Sequence, residues 1–396
     1  MGEAQLCFAR DTHAQYRVQF HPFEKKEKVH NFTIGADMSH DDLLNRLNEV
    51  PALAGNEQQN ATTLGELRAI KKLEVDRNLT KLHLVLPFAC ASQHADLRER
   101  LQKAAGIPLS IQLDTKIDAH LAQAGTSVSP NVKNVIAVAS GKGGVGKSTT
   151  AVNIALALAA EGARVGLLDA DIYGPSVPTL LGVDGKPELN EQELMIPHER
   201  YGIQANSIGF LIDNDAPMAW RGPMVSQALQ QLFSQTAWND LDYLIVDMPP
   251  GTGDIQLTMS QKIPVSGAVI VTTPQDLALM DARKGLVMFE KTNIPVLGIV
   301  ENMALHVCSN CGHEEAIFGA GGAQAMSKDY HVPLLGQLPL AMAIRENADA
   351  GKPSVAADPS GVHAQHYAAI ARQVGLALAR RPKDLTHKIR VSSAVQ

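Results

Sequence analysis

The chain has 396 residues, 45% of them hydrophobic and 19% charged. At roughly 150 residues per domain that length suggests two or three domains, and the composition excludes a largely disordered chain. A net charge of -6 excludes a global field that draws the protein to nucleic acid or anionic lipid. Only 4% is aromatic, against 31 Gly and 21 Pro, which suits an α/β protein rich in short turns better than a stacking platform for single strands. No apolar run approaches the ~18 residues of a membrane span. The first twenty residues carry charges and no apolar core, so the expected compartment is the cytoplasm. There, four cysteines do not make a disulfide framework.

In chain order, residues 1–37 hold a charge cluster at Lys25 to Lys28 and weak periodicity, and they are expected to be a loosely ordered extension, with Met38 as an alternative start. Residues 38–123 read as a small α+β accessory domain. Its parts are a helix over DDLLNRL (41–47), a strand over KLHLVLPF (81–88), a helix over DLRERLQKAA (96–105) and a second strand over PLSIQL (108–113). Residues 124–134, small and polar with Pro130, read as a linker. From 135 to 382 short apolar runs recur at Val135–Ala139, Val165–Leu168, Tyr243–Val246, Ala268–Val271, Val296–Val300 and Pro333–Leu335, with helical stretches between most of them. Continuous apolar strands of this length predict a doubly wound, mostly parallel sheet that binds ligands at the strands' carboxyl ends. Residues 383–396 form a tail.

The first of these strands runs into Ser140-Gly141-Lys142-Gly143-Gly144-Val145-Gly146-Lys147-Ser148-Thr149, and an alanine-rich helix follows. This is a phosphate-binding loop in the required strand–loop–helix setting. Glycines let backbone N–H groups turn inward around phosphates, and the helix N-terminus adds partial positive charge. Lys147 is positioned to neutralise the β/γ-phosphates, and the Ser148 hydroxyl to ligate Mg²⁺. Lys142 adds a second cation inside the loop, where it can meet charge developing on a phosphate; a solvated loop lysine is the simpler alternative. Two further strands end in carboxylates, Leu168-Asp169-Ala-Asp171 and Val246-Asp247. Asp247 and Asp169 are candidates for holding Mg²⁺, and Asp171 for positioning the attacking water. Asn302, just after the fifth strand, offers a donor and an acceptor that could read a purine edge. No Asn-Lys-x-Asp guanine signature is present, which favours ATP.

Cys308-Ser-Asn-Cys311-Gly312 puts two sulfurs on one side of a tight turn. Thiolates suit zinc or an iron–sulfur cluster, and both usually take four protein ligands. Cys7 and Cys90 are isolated and far away, so one chain supplies two ligands and a two-fold dimer would supply four. A redox pair, structural zinc joined by His306 or His313, and a bridging labile cluster are all compatible with the spacing.

The string Lys142 to Ser148 resembles the deviant phosphate loop of the MinD/ParA/nitrogenase-reductase class, in which the extra lysine reaches the partner subunit's nucleotide. From about Leu67 onward the chain is similar to the Mrp/ApbC family of iron–sulfur P-loop ATPases, through SGKGGVGKST (140–149), LLDADIYGPSVPTLLG (167–182), WRGPM (220–224), DMPPGTGDIQLT (247–258), TTPQDLAL (272–279) and ENMALHVCSNCG (301–312). That resemblance implies a cytoplasmic homodimer with slow ATP hydrolysis. It implies a [4Fe-4S] cluster bridged by the Cys308 and Cys311 pairs, passed between scaffold and apo-proteins, with no nucleic-acid or membrane partner. The alternative is a positioning ATPase of MinD/ParA type with zinc at the cysteines. It would need a surface-binding element, and the amphipathic stretch His366 to Arg381 is the one candidate.

Overall fold

The computed structural model describes residues 38–54, 61–75, 79–123, 131–211, 222–308 and 310–384. The 1–37 extension, most of the expected linker, Trp220 and Arg221 of WRGPM, and the tail from 385 lie outside the described residues.

Ser39 starts the first helix by a reciprocal cap: its hydroxyl accepts the Asp42 N–H at 3.1 Å, and the Asp42 carboxylate accepts the Ser39 N–H at 3.3 Å. The helix α1 (His40–Asn48) buries Leu43 and Leu47. There follow β1 (Ile70–Val75), β2 (Thr80–Leu86), α2 (His94–Ala105) and β3 (Leu109–Thr115), with β1 antiparallel and β3 parallel to β2. The alternation of KLHLVL sends Leu82, Leu84 and Leu86 into a core with Leu43, Leu97 and Leu101. β1 is not anticipated from IKKLEV, because two adjacent lysines mask its half-buried Ile70 and Leu73.

The larger unit contains β4 (Val135–Ala139), α3 (Lys147–Ala160), β5 (Val165–Asp169), α4 (Val177–Leu181), β6 (His198–Arg200), β7 (Ile203–Ser207), α5 (Gly222–Ser234), β8 (Tyr243–Asp247), α6 (Asp254–Lys262) and β9 (Gly267–Thr272). It continues with α7 (Asp276–Lys291), β10 (Val296–Glu301), β11 (His306–Val307), β12 (Glu314–Glu315), α8 (Gly322–Tyr330), β13 (Leu334–Gln337), α9 (Met342–Asp349), α10 (Ser354–Ala357) and α11 (Val362–Ala379). One sheet has the order β13-β10-β9-β4-β8-β5-β7-β6, parallel throughout except for β6, which runs antiparallel to β7 at the edge. Apolar clusters cover both faces, α3 and α11 on one, α5 and α7 on the other. This is the doubly wound, mostly parallel sheet expected from the sequence. β6 and β7 extend it beyond the six expected strands. IQANS of β7 has a single large apolar residue, and its buried Asn206 is satisfied by donating to Thr236 Oγ1 at 2.8 Å.

The helix at the C-terminal end begins at Val362 and buries Tyr367, Ile370, Ala371 and Val374. The face that a membrane reading would have presented to lipid therefore lies in the core. Among the described residues no helix is long and apolar enough to cross a membrane. The same helix meets the N-terminal unit: Leu376 joins its apolar cluster, and Arg372 and Ser92 both bond the buried Glu161 carboxylate at the end of α3, at 2.6 and 2.7 Å.

Residues 131–134, the end of the expected linker, lie at the base of the sheet. Val132 bridges to Leu241, and Lys133 Nζ donates to Asp242 Oδ1 at 2.6 Å. Arg164 donates to the same carboxylate through its backbone N–H at 2.9 Å and through its guanidinium at 3.1 Å. Burial alone would raise the Asp242 carboxyl, but the Arg164 and Lys133 bonds outweigh it and hold the group below the usual carboxylate range. A depressed folded value contributes stability above the ordinary carboxylate range and loses it as pH falls through the folded value. Asp242→Asn is therefore expected to cost roughly 2 kcal/mol near neutral pH. Urea titrations repeated toward acid should show the gap between the two proteins closing.

Candidate nucleotide site and cysteine hairpin

β4 is central in the sheet, between β9 and β8, and the loop that follows opens at the carboxyl end of the strands. Gly144 and Gly146 hold left-handed backbone at φ 81 and 80, which lets the chain wrap and enter α3 at Lys147. Gly141 is needed for another reason: a Cβ there would lie 2.2 Å from the Asp281 carbonyl carbon of α7. Val145 is buried, whereas Gly143 and Gly144 face open space. Ser140 Oγ donates to the Lys142 carbonyl at 2.9 Å, and the Gly251 N–H donates to the Ser140 carbonyl at 3.0 Å. The loop after β8 is thus tied to the phosphate loop.

Lys147 is buried. Its Nζ donates to Asp247 Oδ1 at 2.6 Å and to Ser148 Oγ at 3.2 Å, and stands 3.8 Å from Asp171 Oδ2. An ammonium has three donors, so one remains for a phosphate oxygen. The Lys142 ammonium, on a half-buried residue, bonds none of the described residues. Asp169 and Asp247 are paired neighbours on β5 and β8 and both are fully buried. Burial and the neighbouring Asp247 charge push Asp169 up to about 7. Asp169 Oδ2 accepts the N–H groups of Ser176 and Val177 and the Ser207 hydroxyl, at 3.0, 3.0 and 2.9 Å, and Oδ1 accepts the Asp171 N–H at 3.1 Å. This carboxylate chiefly anchors the loop that carries Asp171. Burial also raises Asp171 and, despite Lys147, Asp247. Asp247 Oδ2 is buried without a hydrogen bond, the kind of orphaned oxygen that a bound cation's water shell satisfies, and Ser148 is beside it. The donors therefore fit Mg²⁺.

Asn302 is buried against the phosphate loop. Its Nδ2 donates to the Val145 carbonyl at 2.9 Å, and its Oδ1 accepts the Met303 N–H at 2.9 Å. The amide expected to face a purine thus spends one donor on the loop itself.

Cys308 and Cys311 stand in the turn of a small hairpin, β11 paired with β12. The Cys308 N–H donates to the His313 carbonyl and the Gly312 N–H to the Cys308 carbonyl, each at 2.9 Å, with Gly312 left-handed at φ 72. Hydrogen bonds from the N–H groups of Cys311 and Asn310 hold the Cys308 thiol below its ordinary value, which favours the thiolate that binds metal. Cys308 is half-buried and Cys311 exposed. Among the described residues no group of three or more His, Cys, Asp or Glu gathers to hold a metal. His306 instead places Nδ1 3.1 Å from the Leu340 carbonyl. Cys90 is buried in the N-terminal unit, where burial and the Glu161 charge push its thiol up to about 12, so it stays protonated.

A family model described as ParA, NUBPL iron-transfer P-loop NTPase, matches residues 131–375. The chain belongs to this family. It is 60% identical over 270 residues to the iron-sulfur cluster carrier protein of Pseudomonas fragi, covering 68% of this chain and 94% of that one. It is 50% identical over 330 residues to the iron-sulfur cluster carrier protein of Escherichia coli K12, covering 81% and 88%. Among solved structures, a nucleotide-binding protein from Archaeoglobus fulgidus in complex with ADP is 39% identical with a TM-score of 0.51, over 56% of this chain and 88% of that one.

Two buried residues that support these elements were not anticipated. Ser207, from the unforeseen β7, supports Asp169; nothing in IQANS signals it. Glu301, buried at the end of β10, accepts the Ala323 N–H at 3.0 Å and so holds the start of α8. A carboxylate ending an apolar strand, the signal that marked Asp169 and Asp247, also marks Glu301.

Proposed function

We propose that this chain is an iron–sulfur cluster carrier that hydrolyses ATP slowly, works as a homodimer in the cytoplasm, and takes [4Fe-4S] clusters from scaffold proteins to apo-proteins. The Cys308 and Cys311 pair, the first half-buried and the second exposed, carries this reading. It offers two thiol ligands and no third within the described chain, so two copies meeting at their hairpins complete a four-thiolate site. Four thiolates would also suit zinc, but an open turn with one exposed cysteine favours a labile cargo over a closed structural site.

In the nucleotide site, loop N–H groups and Lys147 bind the ATP phosphates, with Gly141 to Thr149 forming the cradle. Ser148 Oγ and, through water, Asp247 would hold Mg²⁺, which adds charge neutralisation on the phosphates; Asp169 stands behind them. Asp171 orients the attacking water and accepts its proton, a role that its raised value suits. Lys142, with no bond to the described residues, reaches the nucleotide of the partner subunit. Asn302 closes the base side of the loop.

Protein loaded with cluster anaerobically and mixed with an apo [4Fe-4S] dehydratase is expected to restore the dehydratase's activity. No recovery above free iron and sulfide would overturn the carrier reading.

A further inference from the structure

We infer that Asn302 and Met303 are the positioning link through which the phosphate loop and the cysteine hairpin act on each other. The inference rests on the carrier reading for what the hairpin holds, but the contact itself is independent of the cargo.

The end of β10 is fixed first, by the Asn302 N–H donating to the Thr272 carbonyl at 2.7 Å. From there the side chain turns back across 157 positions of sequence to the Val145 carbonyl. An asparagine that merely shaped its own turn would spend both halves of its amide locally. This one spends its donor on the loop and its acceptor on Met303, so a single planar amide joins the two backbones. The approach is close: a Cβ at Gly146 would stand 2.2 Å from Asn302 Nδ2. The N–H groups of a phosphate loop turn toward the phosphates, so rotation of the Val145–Gly146 peptide on nucleotide binding is transmitted to Asn302.

Met303 takes up the other end. It is left-handed at φ 57, a conformation that a side chain of this kind adopts only when its surroundings impose it. Beyond it the chain has no slack. The Ala304 N–H donates to the Leu338 carbonyl at 3.0 Å, the Leu305 carbonyl accepts the Leu340 N–H at 2.8 Å, and His306 contacts the Leu340 carbonyl at 3.1 Å. Val307 then pairs with Glu314, and Cys308 follows. The run from the loop-bound amide to the first thiol is a short strut, bonded along its length.

The test uses the full chain without cluster. Alkylation of the 308–311 peptide by iodoacetamide is followed by mass spectrometry, with and without Mg²⁺ and a non-hydrolysable ATP analogue at saturation. For the wild type the rates should differ by about fivefold or more between the two conditions. Met303→Gly, in which the left-handed residue no longer imposes a fixed path, should bring the ratio to within about twofold of unity. Binding of a fluorescent ATP analogue by Met303→Gly should persist. Met303→Asn tolerates the same backbone and should keep most of the wild-type ratio. If Met303→Gly does not fold, Asn302→Asp, which removes the donor to Val145 and keeps the acceptor, should lose the ratio at saturating nucleotide. A wild-type protein whose rates ignore nucleotide, or a folded Met303→Gly or Asn302→Asp with the wild-type ratio, overturns the inference. Since alkylation needs no iron, failure of the carrier reading leaves this result readable.

Discussion

Replacing Lys147 with alanine is expected to lower kcat/KM for ATP by roughly 100- to 1000-fold, because it removes the buried cation proposed to bind the phosphates. The same change leaves Asp247 buried beside Asp169 with no counter-charge, which should also cost about 3 kcal/mol of stability. Steady-state rates must therefore be normalised to the folded fraction measured by near-UV circular dichroism. Lys142→Ala should behave differently, since its ammonium bonds none of the described residues of its own chain. Its turnover should fall while the melting temperature stays near that of the wild type. If Lys142 acts across a dimer, mixing Lys142→Ala with Asp171→Asn protein should restore activity. One of the two sites in the mixed dimer would combine an intact Asp171 with an intact Lys142 from its partner. Two inactive proteins that stay inactive when mixed would place Lys142 in its own chain's site.

Cys308→Ala is expected to lose essentially all bound iron after anaerobic reconstitution, by far the largest effect on the cargo site. Its sulfur is the one that the turn activates, through the N–H groups of Asn310 and Cys311, and no other described side chain stands ready to replace it. The fold should survive, because the residue lies on a surface hairpin and such substitutions stay within about 0.5 kcal/mol. A variant that retains the full visible absorbance and iron content of the wild type would move the cluster elsewhere in the protein.

Much of the site is legible because its chemistry needs fixed residue types at short spacing. Glycines, lysine and serine within nine positions mark the phosphate loop, and two cysteines three apart mark the hairpin. Strand-end carboxylates are visible for the same reason, since an ionisable group after four strand residues without charge has few explanations. Their division of labour is not visible. That Asp169 anchors a loop follows from Ser207 and from two N–H groups brought beside it by folding. Asn302 shows the same limit: its position after β10 can be read, but the partner it meets, Val145, lies far away in the chain. The fold divides in the same way. Strands with apolar residues on both faces announce themselves as apolar runs, whereas β1 and β7 are strands only because neighbours pair with them. The C-terminal helix has an apolar face in sequence, and only the position of α3 decides that this face is interior.

The central claim is that two chains complete one cluster site. Native mass spectrometry of the anaerobically reconstituted protein tests it most directly. The expected species has the mass of two chains with four irons and four sulfides, and reverts to lower iron content in Cys308→Ala. A cluster-loaded species with the mass of one chain would contradict it.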